Sequence, residues 1–154
     1  MTAEEKLKSL GIELPAVPKP LGAYVPFVKT GRLVYLSGML PLKDGKLIKT
    51  GRVGESVTLE EAAEASKSAA INALAVLRSA IGSLDKVKRC VRIEGFVSSV
   101  QDFTDQPKVL NGASNFIFEV LGDAGLHTRT AIGVNILPLN SPVEISFIFE
   151  VEEQ

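Results

Sequence analysis

"TLEEAAEASKSAAINALAVLRSAIG", residues 58–82, is the stretch on which the fold turns. Thr58 and Glu61 stand in capping-box spacing, and Ala62, Ala65, Ala69, Leu74, Leu77 and Ile81 recur at helical intervals before Gly82. A long amphipathic helix is therefore predicted. Its alanine-rich face has little bulk, so it should lie close against a sheet.

Working outward toward the N-terminus, "AYVPFVKTGRLVYLSGMLP" reads as two β-rich runs joined at Thr30-Gly31, a hairpin. Short turns through Asp44-Gly45 and Gly51 to Gly54 link it to the helix. Before the hairpin, "IELPAVPKPLG" carries three prolines and must be extended, while "TAEEKLKSLG" has Thr2 and Glu5 in a second capping box, apolar Leu7 and Leu10, and Gly11 as a stop. Toward the C-terminus come a strand, "VKRCVRIEGFVSSV", and a second amphipathic helix in "PKVLNGASNFIFEVLGDAG", which tolerates Gly112. Residues 127–150, "HTRTAIGVNILPLNSPVEISFIFE", read as two apolar strands folded into a closing hairpin. The order β-β-(short β)-α-β-α-β-β predicts an α+β two-layer sandwich, a mixed sheet with two helices packed on one face.

The chain has 154 residues and is 45% hydrophobic, enough for one core. Its apolar stretches are interrupted well short of the roughly 18 residues a membrane span needs, and "MTAEEKLKSL" has no basic region leading into an apolar run. A soluble, non-exported, cytoplasmic protein without a membrane partner is expected. Seventeen basic against eighteen acidic residues, with no Lys/Arg cluster and no Trp, leave no footprint for nucleic acid. One Cys and one His disfavour a zinc site. Cys90 alternates like a strand residue and is read as a small buried side chain. No P-loop, GxGxxG, GxSxG or HExxH is present.

What remains is a set of polar residues in apolar surroundings. Ser37 and Gly38 end the run "VYLSGMLP", Tyr24 follows Gly22, and Asn111 lies near the start of the second helix. Arg129 and Glu144 each place a charge in a strand made largely of apolar and small residues, where isolated charge is costly. Singly, each has an ordinary reading: a turn serine, a half-buried aromatic, a helix-surface amide, an edge charge, an outward carboxylate. His127 shares the face of Arg129 if the strand begins that early, and otherwise is a loop histidine.

Together, "GAYVPFVKTGRLVYLSGMLP", the capped helix, "VRIEGFVSSVQDF" and "TRTAIGVNILPLNSPVEISFIFEV" resemble the Rid/YjgF family of reactive-intermediate deaminases. The spacing of Tyr24 to Ser37-Gly38 and of Arg129 to Glu144, with Leu137-Pro138 between the last two, carries the likeness. It implies the chorismate-mutase-like fold over residues 20–154 after an N-terminal helix and Pro-rich extension at 1–19. It also implies a homotrimer that binds small 2-oxo or 2-imino acids in clefts between subunits and needs no cofactor.

By that resemblance Arg129 grips the ligand carboxylate, for which a planar guanidinium offers a fork. Glu144 handles the water that attacks a C=N carbon, while Tyr24, Ser37, Gly38 and Asn111 line the pocket. The family often has Cys where Ala131 stands here, and the segment "FTDQPKVLNGAS" is longer than its family counterpart. The resulting expectation is hydrolytic deamination of imino or enamine acids, with non-catalytic binding or sensing of small 2-oxo carboxylates as the alternative. If residues 127–150 form a hairpin turning in "LPLNSP", Glu144 lies opposite Asn135 or Ile136, about 20 Å along the strand from Arg129. One chain then cannot close both groups on a small acid.

Overall fold

The computed structural model describes residues 1–17, 19–20 and 22–153. Among the described residues there are three α-helices, α1 (Ala3–Ser9), α2 (Leu59–Ile81) and α3 (Gln106–Leu121). A five-stranded sheet contains β1 (Phe27–Thr30), β2 (Leu33–Leu36), β5 (Val87–Ser98), β6 (Thr128–Val134) and β7 (Val143–Val151) in the order β1-β2-β7-β5-β6, with the short β3 (Leu42–Lys43) and β4 (Lys46–Leu47) as a separate hairpin. The chain is an α+β two-layer sandwich, as its element order predicts.

Local chemistry starts the long helix where expected. Thr58 Oγ1 accepts from the Glu61 amide at 3.1 Å and the Glu61 carboxylate accepts from the Thr58 amide at 3.0 Å, closing the capping box of α2. Ala62, Ala65, Ala69 and Ala73 are fully buried. Across from them β7 alternates strictly: Val143, Ile145, Phe147, Phe149 and Val151 face the helices, while Glu144, Ser146, Ile148 and Glu150 face the open side. Burial of Phe147 and Phe149 contributes roughly 1.5–3 kcal/mol each, and their rings stack at 6.0 Å. Gly112 sits where α3 presses on α2, since a Cβ there would lie 1.9 Å from the Ala63 carbonyl oxygen. α1 keeps its own capping box and drives Leu7 into the same core.

The predicted closing hairpin does not form. β6 pairs with β5 in parallel, and β7 pairs with β5 on its other side in antiparallel fashion. The unit β5-α3-β6 is a crossover that lays β6 beside β5, and the connection through the 3-10 turn at Pro138–Asn140 carries the chain past the end of β5. Leu139 and Asn140 both take positive φ there, near 59°, to make that turn.

Candidate functional site

β6 is an edge strand, and Arg129 stands opposite Ile93, which stands opposite Phe147. Paired residues share a face, so Arg129 points to the helix side. There its Nη1 donates to Asn111 Oδ1 at 2.8 Å and to Ser114 Oγ at 3.1 Å, two residues one turn apart on α3. Nη1 carries two hydrogens, and both are spent. Among the described residues the guanidinium makes no further hydrogen bond, so its Nε–H and Nη2 edge remains a free side-on fork.

Glu144 stands opposite Phe96, which stands opposite Ile132, on the open face. The two charges are thus two strands and three residues apart, about 14 Å between backbones, and their side chains leave the sheet in opposite directions. The hairpin geometry is overturned, but its consequence holds on different grounds: one chain does not bring Arg129 to Glu144.

Tyr24, Ser37 and Gly38 meet around a depression of about 340 Å³ at the β2 end of the sheet, beside Leu139. Tyr24 is 58% exposed. Ser37 spends its hydroxyl on the Val25 carbonyl at 2.6 Å, and its amide donates to the Pro26 carbonyl at 2.9 Å, which ties the Tyr24 segment to the strand. Gly38 passes directly under Glu144: a Cβ there would sit 3.0 Å from the Glu144 carboxyl carbon. The half-buried Glu144 has no hydrogen-bond or ion-pair partner among the described residues, and burial raises its pKa above the ordinary carboxylate value. Cys90 is buried and its thiol is pushed up to about 12, which suits a packing role.

The structure therefore gathers the expected residues into two groups. Tyr24, Ser37 and Gly38 line one depression, with Glu144 packed against Gly38 but outside its lining, and Arg129 and Asn111 form the other group. His127 precedes β6 and uses both ring nitrogens within the protein, Nδ1 with the Gly125 carbonyl at 2.7 Å and Nε2 with Ser114 Oγ at 2.9 Å. Neither nitrogen is left to reach a ligand. Ser114 escaped the sequence reading, although its spacing of three from Asn111 puts both on one helix face.

The "YjgF/chorismate mutase-like, putative endoribonuclease" family model matches residues 4–151. The chain belongs to this family. Among its relatives, protein TCP17 of Trypanosoma cruzi is 40% identical over 94% of this chain and 91% of that protein. The 2-iminobutanoate/2-iminopropanoate deaminase of Dermatophagoides farinae is 28% identical over 92% of this chain and 95% of its own. The crystal structure of Atu1372, a protein of unknown function from Agrobacterium tumefaciens, is 44% identical and superposes with a TM-score of 0.89, covering 97% of this chain and 92% of that one.

Proposed function

We propose that this YjgF-family chain hydrolyses reactive 2-imino or enamine acids to 2-oxo acids and ammonia in pockets between the subunits of a homotrimer. One observation carries the reading. Arg129 offers a free carboxylate fork on one face of the sheet, and Glu144 offers an unpartnered carboxylate of raised pKa on the other. Each is half of a site for a small acid, and a second subunit supplies the other half. The open face supports assembly, since Val28, Tyr35 and Ile132 are 54%, 43% and 43% exposed there. The deaminase relative from Dermatophagoides farinae supports the chemistry.

In the reaction Arg129 of one subunit holds the substrate carboxylate and sets the C=N carbon near Glu144 of its neighbour. Glu144 takes a proton from water as the oxygen bonds to that carbon, and the proton passes to the nitrogen. The resulting carbinolamine expels ammonia and leaves the 2-oxo acid. A carboxylate whose pKa is raised by burial is the better base for this step. Tyr24 and the backbone at Gly38 wall the pocket, and Ser37 holds the Tyr24 segment in place.

Ala131 favours a second reading, binding or sensing of 2-oxo carboxylates without turnover, because it places no thiol beside Arg129. Formation of 2-oxo acid from imines generated enzymatically in situ separates the two. Acceleration over the spontaneous rate supports the deaminase, and normal 2-oxobutyrate binding without acceleration supports the sensor.

A further inference from the structure

Ser114 has a polarity problem that His127 solves. To accept from Arg129 Nη1 at 3.1 Å, the Ser114 oxygen must present a lone pair, so its own hydrogen has to point elsewhere. The Gly125 carbonyl, 2.7 Å from His127 Nδ1, can only accept, which puts the imidazole hydrogen on Nδ1. Nε2 of the neutral ring is then an acceptor, and at 2.9 Å it takes the Ser114 hydrogen. The chain runs in one direction: Arg129 N–H to Ser114 oxygen, Ser114 O–H to His127 Nε2, His127 Nδ1–H to Gly125 carbonyl.

The far end is rigid. Gly125 is buried in the 3-10 turn Gly122–Gly125, where a Cβ would lie 2.6 Å from the Ile117 carbonyl oxygen of α3. The Ser114 oxygen and the Gly125 carbonyl, the two stations of the relay beyond Arg129 and on either side of His127, are therefore anchored on α3 and on the turn that follows it.

The geometry points to Ser114 and His127 as positioning residues that hold Arg129 with its Nε–H and Nη2 edge turned outward for a carboxylate. Asn111 occupies the other Nη1 hydrogen, so the guanidinium cannot rotate its fork inward without breaking two bonds. The inference rests on Arg129 being the carboxylate grip. It adds that recognition depends on a hydroxyl whose direction a histidine sets, in a strand edge otherwise free to let a long side chain wander.

The test is calorimetric affinity for 2-oxobutyrate, with thermal melting alongside, for full-length S114A, S114T, H127F, R129K, S114A/H127F and S114A/R129K. S114A and H127F should each weaken binding about three- to tenfold, the scale of one hydrogen bond, and S114T should restore it. S114A/H127F should be no weaker than S114A, and S114A should add nothing once Arg129 is Lys. Should S114A or H127F lower the melting temperature while affinity stays put, or should the S114A and R129K losses add, the relay has only a structural role and the inference falls while the Arg129 reading stands. Undiminished affinity in R129K, or no binding by the wild type, overturns both.

Discussion

At the scale of single residues, Glu144 makes the clearest demand. A carboxyl whose pKa is raised in the folded chain costs the fold nothing below the ordinary carboxylate range and destabilises it as pH rises through the raised value. Glu144→Gln removes that penalty, so at neutral pH the variant should melt at the same temperature as the wild type or higher. If Glu144 handles water, imine turnover should nevertheless fall by about 10²-fold, with 2-oxobutyrate affinity little changed. A variant with full turnover would return Glu144 to an ordinary strand residue. Arg129→Lys exchanges a fork for a point charge and should weaken 2-oxo acid binding by roughly ten- to a hundredfold, from the 1.5–3 kcal/mol of a charged hydrogen bond. Both charges were legible in the sequence because largely apolar strands give them little local reason to exist, although β7 carries a second carboxylate, Glu150, on the same face as Glu144. Ser114 was not, because a serine on a helix carries no mark of the partner that folding brings to it.

At the scale of elements, the ends of α2 and its partner α3 set the expectations. Thr58→Ala removes the cap and should cost about 1 kcal/mol, a fall of about 2–4 °C in Tm by differential scanning calorimetry for a chain of this size. Lys49 hydrogen-bonds Glu61 at 2.7 Å and, with the Thr58 amide, holds its pKa down to about 2 from 4.5. The support Glu61 gives α2 is complete above 4.5 and fades as pH falls toward about 2. Lys49→Met should move the Glu61 carboxyl titration upward by NMR. Gly112→Ala forces a methyl against the Ala63 carbonyl and should destabilise by about 1–3 kcal/mol. Capping boxes and alternation are local, which is why α1, α2 and β7 could be read without a structure. The pairing of β6 is not local. Two strands joined by a short connection look like a hairpin, and only the strand-helix-strand order of β5, α3 and β6 signals that the place beside β5 is already taken on one side.

At the scale of the whole molecule, the fold explains why two charges that look like a pair do not meet within one chain. β5 lies between their strands, and the sheet turns Arg129 toward the helices and Glu144 toward the open face. The layer architecture was legible because helix and strand periods differ, whereas the face each charge occupies depends on register, which no single strand specifies. A homotrimer is expected by light scattering at micromolar concentration. The central claim, a site shared between subunits, is tested most directly by mixing two disabled chains, Arg129→Gln and Glu144→Gln, under conditions that allow subunit exchange, and following imine turnover. Only an interface joining Arg129 of one chain to Glu144 of the other is complete, so random mixing in equal amounts should recover about a quarter of wild-type activity. Recovery at that level supports the shared site. Two chains that exchange subunits yet stay as inactive together as apart, beside an active wild type, would contradict it.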